Sequence, residues 1–210
     1  LSENVNDVFQ YNNGFLISTS NGLVNLSSRK LIAKKTDYKT LRRQNIDLVN
    51  FYSDDRYKDV KIDKFNSFEF YEDDFWFVSN GKIGRVNFEN GAKQNFEYNP
   101  RNPNSFPKTI SAIAQHDGFL WVGSSETGLY KYDLKNLNLV KHYQFDINDP
   151  NSLQTSIVTT LLKKDGKLWV GSGGDGVFIY DQPIDGFQKK DVKSGLSSDI
   201  INKLFSIDDV

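Results

Sequence analysis

The segment DGFLWVGSSETGLYKYD at residues 117–133 recurs with few changes as DGKLWVGSGGDGVFIYD at residues 165–181, and this recurrence decides the fold. Both copies carry a tryptophan at their fifth position, Trp121 and Trp169, which are 48 residues apart. A third tryptophan, Trp76, lies 45 residues before Trp121. A fixed period of this length is typical of repeat proteins, in which each unit stacks on its neighbours to bury its hydrophobic faces.

Weaker copies of the same segment lie earlier in the chain. One reads DDFWFVSNGKIGRVNFE at residues 73–89, and a degenerate one reads NGFLISTSNGLVNLS at residues 13–27, with Leu16 at the tryptophan position. The linking segments repeat as well, because PNSF at residues 103–106 matches PNSL at residues 150–153. The chain therefore holds four periods and the beginning of another.

Each period is predicted to contain four short strands. Alternating apolar residues, β-branched and aromatic side chains, and glycine breaks favour strands over helices. The Asp-Gly pairs at residues 117–118 and 165–166 predict tight hairpin turns. Gly128 and Gly176 predict a close approach of backbones, and the tryptophans are expected to pack between neighbouring sheets. Four strands per period of this length indicate a β-propeller blade.

We therefore predict an all-β fold of propeller blades, with four antiparallel strands in each. The chain is expected to form a single propeller region over residues 1–210, with about 4.4 blades present. We therefore expect a fragment of a larger propeller, or a ring closed by a second copy. The predicted blades cover residues 1–38, 65–98, 109–146 and 156–192, with a further first strand at 199–207 and an insertion at 39–64.

Composition narrows the classes of function. Lys and Arg number 26 against 27 Asp and Glu, which argues against nucleic-acid or membrane binding driven by bulk charge. The sequence has no Cys, which excludes disulfide and thiolate chemistry. No apolar stretch is long enough to cross a bilayer. The chain begins without Met, which predicts further sequence upstream.

No catalytic or metal-binding pattern stands out, so we predict no catalytic residue, no metal and no cofactor. His116 and His142 are the two histidines, and both are expected at ordinary strand or surface positions. The glycine-rich run at residues 171–176 lacks the lysine and the following helix of a phosphate loop. The Ser-x-x-Lys matches at residues 27–30 and 105–108 are not expected to begin helices.

The repeated segments resemble the two-component regulator propeller repeat. The matching residues are the Asn-Ser-Leu turn at 151–153, the Asp-Gly pair at 165–166, LWVGS at 168–172, Gly176, and the Tyr-Asp ending at 180–181. The resemblance is strong over residues 96–210 and weak before residue 72. It implies the extracytoplasmic input region of a hybrid two-component histidine kinase of the Bacteroides type. In that family two seven-bladed propellers precede a membrane helix and a kinase, and related propellers precede diguanylate cyclases. The resemblance thus implies that this chain is a fragment of a seven-bladed propeller.

The resemblance implies a periplasmic sensor that recognises an oligosaccharide and is joined to the membrane only through a downstream segment. We also expect self-association, through exposed blade faces or as a dimeric sensor. Two other functions stay open: a scaffold propeller that binds protein partners, and a polysaccharide-active propeller enzyme such as a lyase or hydrolase. Ligands of propellers commonly bind over one mouth of the central channel. The candidate ligand-binding residues are those carried by the predicted loops of that face: Arg42, Arg43, Arg56, Tyr57, Lys82, Arg101, Glu126 and Asp175.

Overall fold

The computed structural model describes residues 67–87, 90 and 92–206, together with the backbone of the strands upstream of residue 51. The described residues form sixteen strands and two short 3₁₀ turns, at Gln182–Ile184 and Val192–Ser194. The strands are β1 (Val5–Tyr11), β2 (Gly14–Thr19), β3 (Gly22–Ser27), β4 (Val49–Asn50), β5 (Ser67–Tyr71), β6 (Asp74–Ser79), β7 (Lys82–Asn87), β8 (Lys93–Phe96), β9 (Ile110–His116), β10 (Phe119–Ser124), β11 (Gly128–Asp133), β12 (Leu139–Tyr143), β13 (Val158–Lys164), β14 (Lys167–Ser172), β15 (Val177–Asp181) and β16 (Gly186–Lys190).

The strands form four sheets of four consecutive strands each. The chain divides into two compact units, residues 1–65 with 86–92, and residues 66–85 with 93–210. Strands β1–β4 form the sheet of the first unit. The other three sheets are called here the second blade (β5–β8), the third blade (β9–β12) and the fourth blade (β13–β16). The prediction of an all-β fold built from four-stranded antiparallel blades is confirmed.

The turns predicted from Asp-Gly pairs are also confirmed. Asp117 and Gly118 have φ values of 51° and 78°, and Asp165 and Gly166 have 52° and 69°. Positive φ at both central residues is the geometry of the tight hairpin turn that matches the twist of the flanking strands. Each pair therefore joins the first strand of its blade directly to the second.

The first strand of a blade is its contact with the neighbouring blades. In the second unit, β9 packs against both β5 and β13. The strand also carries a bulge, because Ile110 pairs with Ser124 and Ala112 with Gly123, which leaves Ser111 as the extra residue. The Ser111 hydroxyl donates to the carbonyl oxygen of Val158 on β13, at 2.6 Å. A bulge of this kind re-aims a side chain, and here it ties two blades together.

The tryptophans fill the seams between blades. Trp76 is 1% exposed and packs within a cluster that includes Ile113 and Leu120 of the third blade. Trp121 is also 1% exposed and packs with Leu168 and other residues of the fourth blade. The prediction that these rings lie between neighbouring sheets is confirmed. Trp169 is half-buried.

Several predicted features fall at the edges of the described region. The insertion at 39–64 lies outside the described residues apart from the backbone of Val49–Asn50. Near the C-terminus, residues 199–206 form one isolated bridge, between Gly173 and Ile200. Within the described part of the chain, no helix has the length and hydropathy that a membrane crossing requires.

Candidate functional site

Three of the predicted ligand-binding residues lie at one end of their blades. Lys82 begins β7, Glu126 lies in the turn between β10 and β11, and Asp175 lies between β14 and β15. Each residue therefore belongs to the connection between the second and third strands of its blade, and this end is called the loop end. Lys82 and Glu126 are exposed, and Asp175 is half-buried.

A buried serine holds the turns that carry Glu126 and Asp175. Ser124 Oγ accepts hydrogen bonds from the backbone amides of Glu126 and Thr127, at 3.2 and 3.1 Å. Ser172 Oγ accepts from the amide of Asp175 at 2.8 Å. Both serines are fully buried, and each ends the LWVGS or FLWVGS strand. The serine of the repeat thus fixes the backbone from which the acidic side chain projects.

The same turns are hydrogen-bonded to the segment that leads into the next blade. The carbonyl of Gly81 accepts from the amide of Ile110, at 3.0 Å. In the third blade the amide of Gly128 donates to Ser156, at 2.9 Å, and in the fourth the amide of Gly176 donates to Asp199, at 2.8 Å. Each of these connections is therefore linked by one backbone hydrogen bond to the segment that follows its blade.

The Lys82 side chain forms an ion pair within the protein. Its Nζ donates to Glu97 Oε1 at 2.9 Å, and the two side chains are 62% and 70% exposed. An exposed ion pair of this kind contributes at most about 1 kcal/mol to stability. A ligand group can therefore compete for Lys82 at little energetic cost.

Arg101 lies in the connector between the second and third blades. Its loop, residues 99–105, is tied to the third blade by Asn104 Oδ1, which accepts from the amide of Leu139 at 2.9 Å. Leu139 pairs with Tyr132, at the end of the sheet away from the turn of Glu126. The hydrogen bond of Asn104 therefore lies away from the turn that carries Glu126. Arg42, Arg43, Arg56 and Tyr57 lie outside the described residues.

The loop of Arg101 has a counterpart one repeat later, at residues 146–152. Each loop contains two Asx side chains, and each of these accepts a hydrogen bond from the backbone amide two residues after it. In each loop the hydroxyl of the last serine accepts from the backbone amide of the first residue, at 2.8 Å in one loop and 3.1 Å in the other. The matching acceptors are Asn99 and Asp146, Asn102 and Asp149, and Ser105 and Ser152. Such Asx turns are closed by their own side chains, so the repeated sequence predicts a repeated connector.

The opposite end of the blades, where the first strand joins the second, is called here the hairpin end. A cavity of about 330 Å³ lies there between the third and fourth blades. Its lining includes His116 at the end of β9, together with Tyr180, Asp181 and Gln188 of the fourth blade. Sequence reasoning placed His116 at a strand end but missed its burial, at 3% exposure. The sequence signal for this burial was the position of His116 directly before the hairpin turn at residues 117–118, which has an equivalent on the next blade at residues 165–166.

A carboxylate beside this cavity organises the seam. Asp185 Oδ1 accepts from Tyr143 and Tyr180, at 2.5 and 2.6 Å, and Lys141 Nζ lies 2.5 Å from Oδ2. Burial alone would raise the pKa of Asp185, but these three hydrogen bonds outweigh it and lower the pKa to about 2. Lys131 donates to the Tyr180 hydroxyl at 3.4 Å, and its ammonium lies 5.1 Å from the centre of the Trp121 ring system.

A second carboxyl is perturbed in the opposite direction. Glu69 lies on β5 opposite Trp76. Burial raises the pKa of Glu69 to about 7, although a hydrogen bond from the Gln115 backbone and the charge of Lys163 act to lower it. These partners lie on the first strands of the next two blades, so Glu69 belongs to the inner packing of the blades.

The described residues hold no group of three or more histidine, cysteine or acidic side chains that could bind a metal ion. The two histidines have different surroundings. His142 stacks on Tyr130 with ring centroids 3.8 Å apart, and its ring nitrogens contact Thr127 O at 2.5 Å and Gln144 Nε2 at 2.7 Å. His142 is thus held in place as a packing residue.

No family model matches the sequence, and no curated protein matches it. Solved structures do share its fold. The extracellular domain assigned to the hybrid two-component system BT3049 of B. thetaiotaomicron is 14% identical, with a TM-score of 0.54 over 89% of this chain and 24% of that one. The extracellular domain assigned to the one-component or hybrid two-component system BT4673 of the same organism is 18% identical, with a TM-score of 0.50 over 88% of this chain.

A computationally designed protein, Ika8, is 9% identical, with a TM-score of 0.54 over 97% of this chain and 53% of its own. At these identities the likeness establishes the fold alone. This chain spans 24% and 21% of the two B. thetaiotaomicron chains.

Proposed function

We propose that this chain is part of the sensing region of a bacterial two-component signalling protein and lies outside the cytoplasm. The observation that carries the proposal is the fold shared with the extracellular domains of BT3049 and BT4673, over 89% and 88% of this chain. The repeated residues of the two-component regulator propeller repeat support it independently. In this proposal the chain binds a ligand, does not itself catalyse a reaction, and passes the signal to a downstream histidine kinase.

The proposed ligand is an oligosaccharide, bound at the loop end. Lys82, Glu126 and Asp175 stand on successive blades and offer both donors and acceptors to a chain of hydroxyl groups. Further proposed contacts are Arg42, Arg43, Arg56 and Tyr57 from the insertion, together with Arg101 from the connector before the third blade.

The proposed mechanism is a population shift. A ligand that contacts Glu126 or Asp175 favours one placement of its turn. Because Gly128 is hydrogen-bonded to Ser156, in the segment that leads into the fourth blade, the proposed shift of the turn would change the placement of that blade. Two paired sensor chains would pass this change in blade placement on towards the membrane.

The experiment is calorimetric titration of the chain with a panel of oligosaccharides. The double variant Glu126→Gln, Asp175→Asn should weaken binding of the responding glycan. Asp181→Asn is the matched control, because Asp181 ends β15 at the hairpin end of the fourth blade. Equal binding by the double variant and the wild type, or an effect of Asp181→Asn alone, would count against a loop-end site. Absence of any responding glycan would count against the oligosaccharide.

A protein-binding scaffold is the second candidate, because apolar side chains are exposed at matching positions. Tyr98 is 50% exposed and Phe145 is 54% exposed, each two residues beyond the aromatic residue that closes the outer strand of its blade. Self-association is proposed for the same reason. Sedimentation velocity over a range of concentrations tests it, with Tyr98→Ser, Phe145→Ser as the variant. A concentration-independent monomer would refute self-association. Turnover of a glycan in the panel would instead favour the enzyme.

A further inference from the structure

A second cavity, of about 400 Å³, lies between the second and third blades. Its lining includes Phe96 of the outer strand β8, Asn104 of the connector, and Leu137 of the turn between β11 and β12. A volume of this size is in the lower part of the range for small-molecule sites, about 300–1,000 Å³. The cavity can therefore hold a small ligand.

The equivalent place between the third and fourth blades is occupied by a polar contact. Tyr143 stacks on Trp121 there, and its hydroxyl donates to Asp185. Phe96 stacks on Trp76 in the same way, and the ring centroids are 5.5 Å apart in both pairs. Phe96 is therefore the counterpart of Tyr143, but it has no hydroxyl group.

Leu137 is the counterpart of Asp185. Each lies four residues after the aspartate that ends the third strand of its blade, and their φ values are 58° and 47°. Asp185 binds Tyr143 and Lys141 through its carboxylate, whereas leucine offers no acceptor. The contact that joins the third blade to the fourth therefore cannot form between the second and third, and the cavity lies at that place.

The polar part of the lining consists mainly of asparagines. These are Asn95, Asn102, Asn104, Asn136 and Asn138. The side-chain oxygens of three of them accept from backbone amides: Asn102 from Asn104, Asn104 from Leu139, and Asn136 from Asn138, at 3.0, 2.9 and 2.8 Å.

The amide groups of these three asparagines are left as donors. A backbone N–H can face only the side-chain oxygen, so the NH₂ group of each points elsewhere. No hydrogen bond joins these NH₂ groups to the other described residues. Asn102 and Asn136 are exposed and Asn104 is half-buried. A ligand in the cavity is therefore offered several donors and should supply acceptors.

The rest of the lining favours a neutral ligand with an apolar face. Glu97 is the one charged side chain among the described residues that line the cavity, and it is paired with Lys82. An anionic ligand would be repelled by this carboxylate. Phe106 is 4% exposed, and together with the half-buried Phe96 and Leu137 it supplies apolar surface.

We propose that this cavity is a second binding site, for one neutral sugar ring. The C–H face of the ring lies on the apolar side chains, and its ring and hydroxyl oxygens accept from the asparagine NH₂ groups. None of the residues proposed for the loop end lines the cavity. The site therefore does not rest on the function proposed above.

The test uses ¹H–¹⁵N spectra of the full chain, titrated separately with the methyl glycosides of glucose, galactose and xylose, and with methyl glucuronide. The side-chain NH₂ signals of Asn102, Asn104 and Asn136 are assigned by their absence from the three single variants to alanine. At least one neutral glycoside should move these signals saturably. Methyl glucuronide should bind more weakly than methyl glucoside, because its carboxylate meets Glu97.

Variants then locate the response. The double variant Asn102→Ala, Asn136→Ala should weaken the affinity about four- to hundred-fold, as expected for two neutral hydrogen bonds, with the Asn104 signal as the readout. Asn148→Ala is the matched control, because Asn148 is an exposed asparagine of the counterpart connector and does not line the cavity. Equal midpoints in urea unfolding show that the variants fold alike.

Four results would overturn the proposal. They are the absence of a response to every neutral glycoside, tighter binding of the glucuronide than of the glucoside, unchanged affinity in the double asparagine variant, and loss of the response in the loop-end variant Glu126→Gln, Asp175→Asn. A glycoside that binds in calorimetry without moving the three NH₂ signals would overturn this site and leave the loop end as the binding site.

Discussion

Gly123 is the residue at which the stacking of blades can be tested most directly. A Cβ atom added there would lie 2.5 Å from Val158 Cγ1 and 3.1 Å from Val158 Cβ, on the first strand of the fourth blade. Carbon atoms attract best at about 3.5–4.0 Å, so Gly123→Ala forces the two blades apart or strains the valine. We expect it to lower the free energy of unfolding by about 1–3 kcal/mol.

A double-mutant cycle assigns that loss to one contact. Val158 is fully buried, and Val158→Ala should cost about 2 kcal/mol in lost burial and a residual cavity. In the presence of Gly123→Ala the new methyl group fills the space that the valine leaves. The double variant should therefore be more stable than the sum of the single losses predicts, by about 1–2 kcal/mol.

The assay is urea unfolding followed by tryptophan fluorescence, with the slope of the transition compared between variants. Gly174→Ala is the matched control, because no atom lies within 4 Å of its added Cβ, and it should change stability by less than about 0.5 kcal/mol. Single losses that add to within about 0.5 kcal/mol would refute the reasoning, since residues without contact behave additively. The blades would then not meet at Gly123.

Three further predictions concern single side chains. Trp121→Ala should lower the free energy of unfolding by about 3–5 kcal/mol, and Trp169→Ala should lower it by less because Trp169 is only half-buried; equal losses in urea unfolding would contradict this. Asp185 has a pKa of about 2 in the folded chain against an ordinary 3.8, so its stabilisation is present above about pH 4 and is lost as the pH falls towards 2. Asp185→Asn should flatten that part of the acid-unfolding curve, and an unchanged curve would contradict the assignment. Glu69 has a raised pKa of about 7 against 4.5, so its contribution is complete below pH 4.5 and is lost as the pH rises towards 7. The stability of the Glu69→Gln variant relative to the wild type should therefore rise from pH 4.5 to pH 8, as measured by urea unfolding at both pH values. A stability difference that does not change with pH would contradict this prediction.

The sequence was sufficient for features that each repeat specifies locally. The Asp-Gly pair at residues 117–118 has the positive φ values that its turn requires, and Trp121 packs in the seam expected from its place in the strand. Both follow from short-range rules, namely turn chemistry and alternation along a strand. Repetition strengthened these predictions, because two copies had to satisfy the same interpretation.

The sequence was insufficient where distant segments decide the environment. His116 is buried and lines a cavity together with residues of the fourth blade, including Tyr180, which lies 64 positions later. Spacing grouped the loop of Arg101 with the turns that carry Glu126 and Asp175. The hydrogen bond between Asn104 and Leu139 holds that loop beside the outer strand of the next blade, a contact that spacing did not predict. The sequence pattern alone does not show which strand of the next blade a connector will contact.

The connectors at residues 99–105 and 146–152 close on themselves, with each loop supplying its own acceptors. A blade therefore carries with it the spacer that sets its distance from the preceding blade. Tandem duplication of one blade with its connector would add a blade without compensating changes elsewhere, and deletion would remove one in the same way. The number of units is thus free to drift through recombination, while the step from one unit to the next stays fixed.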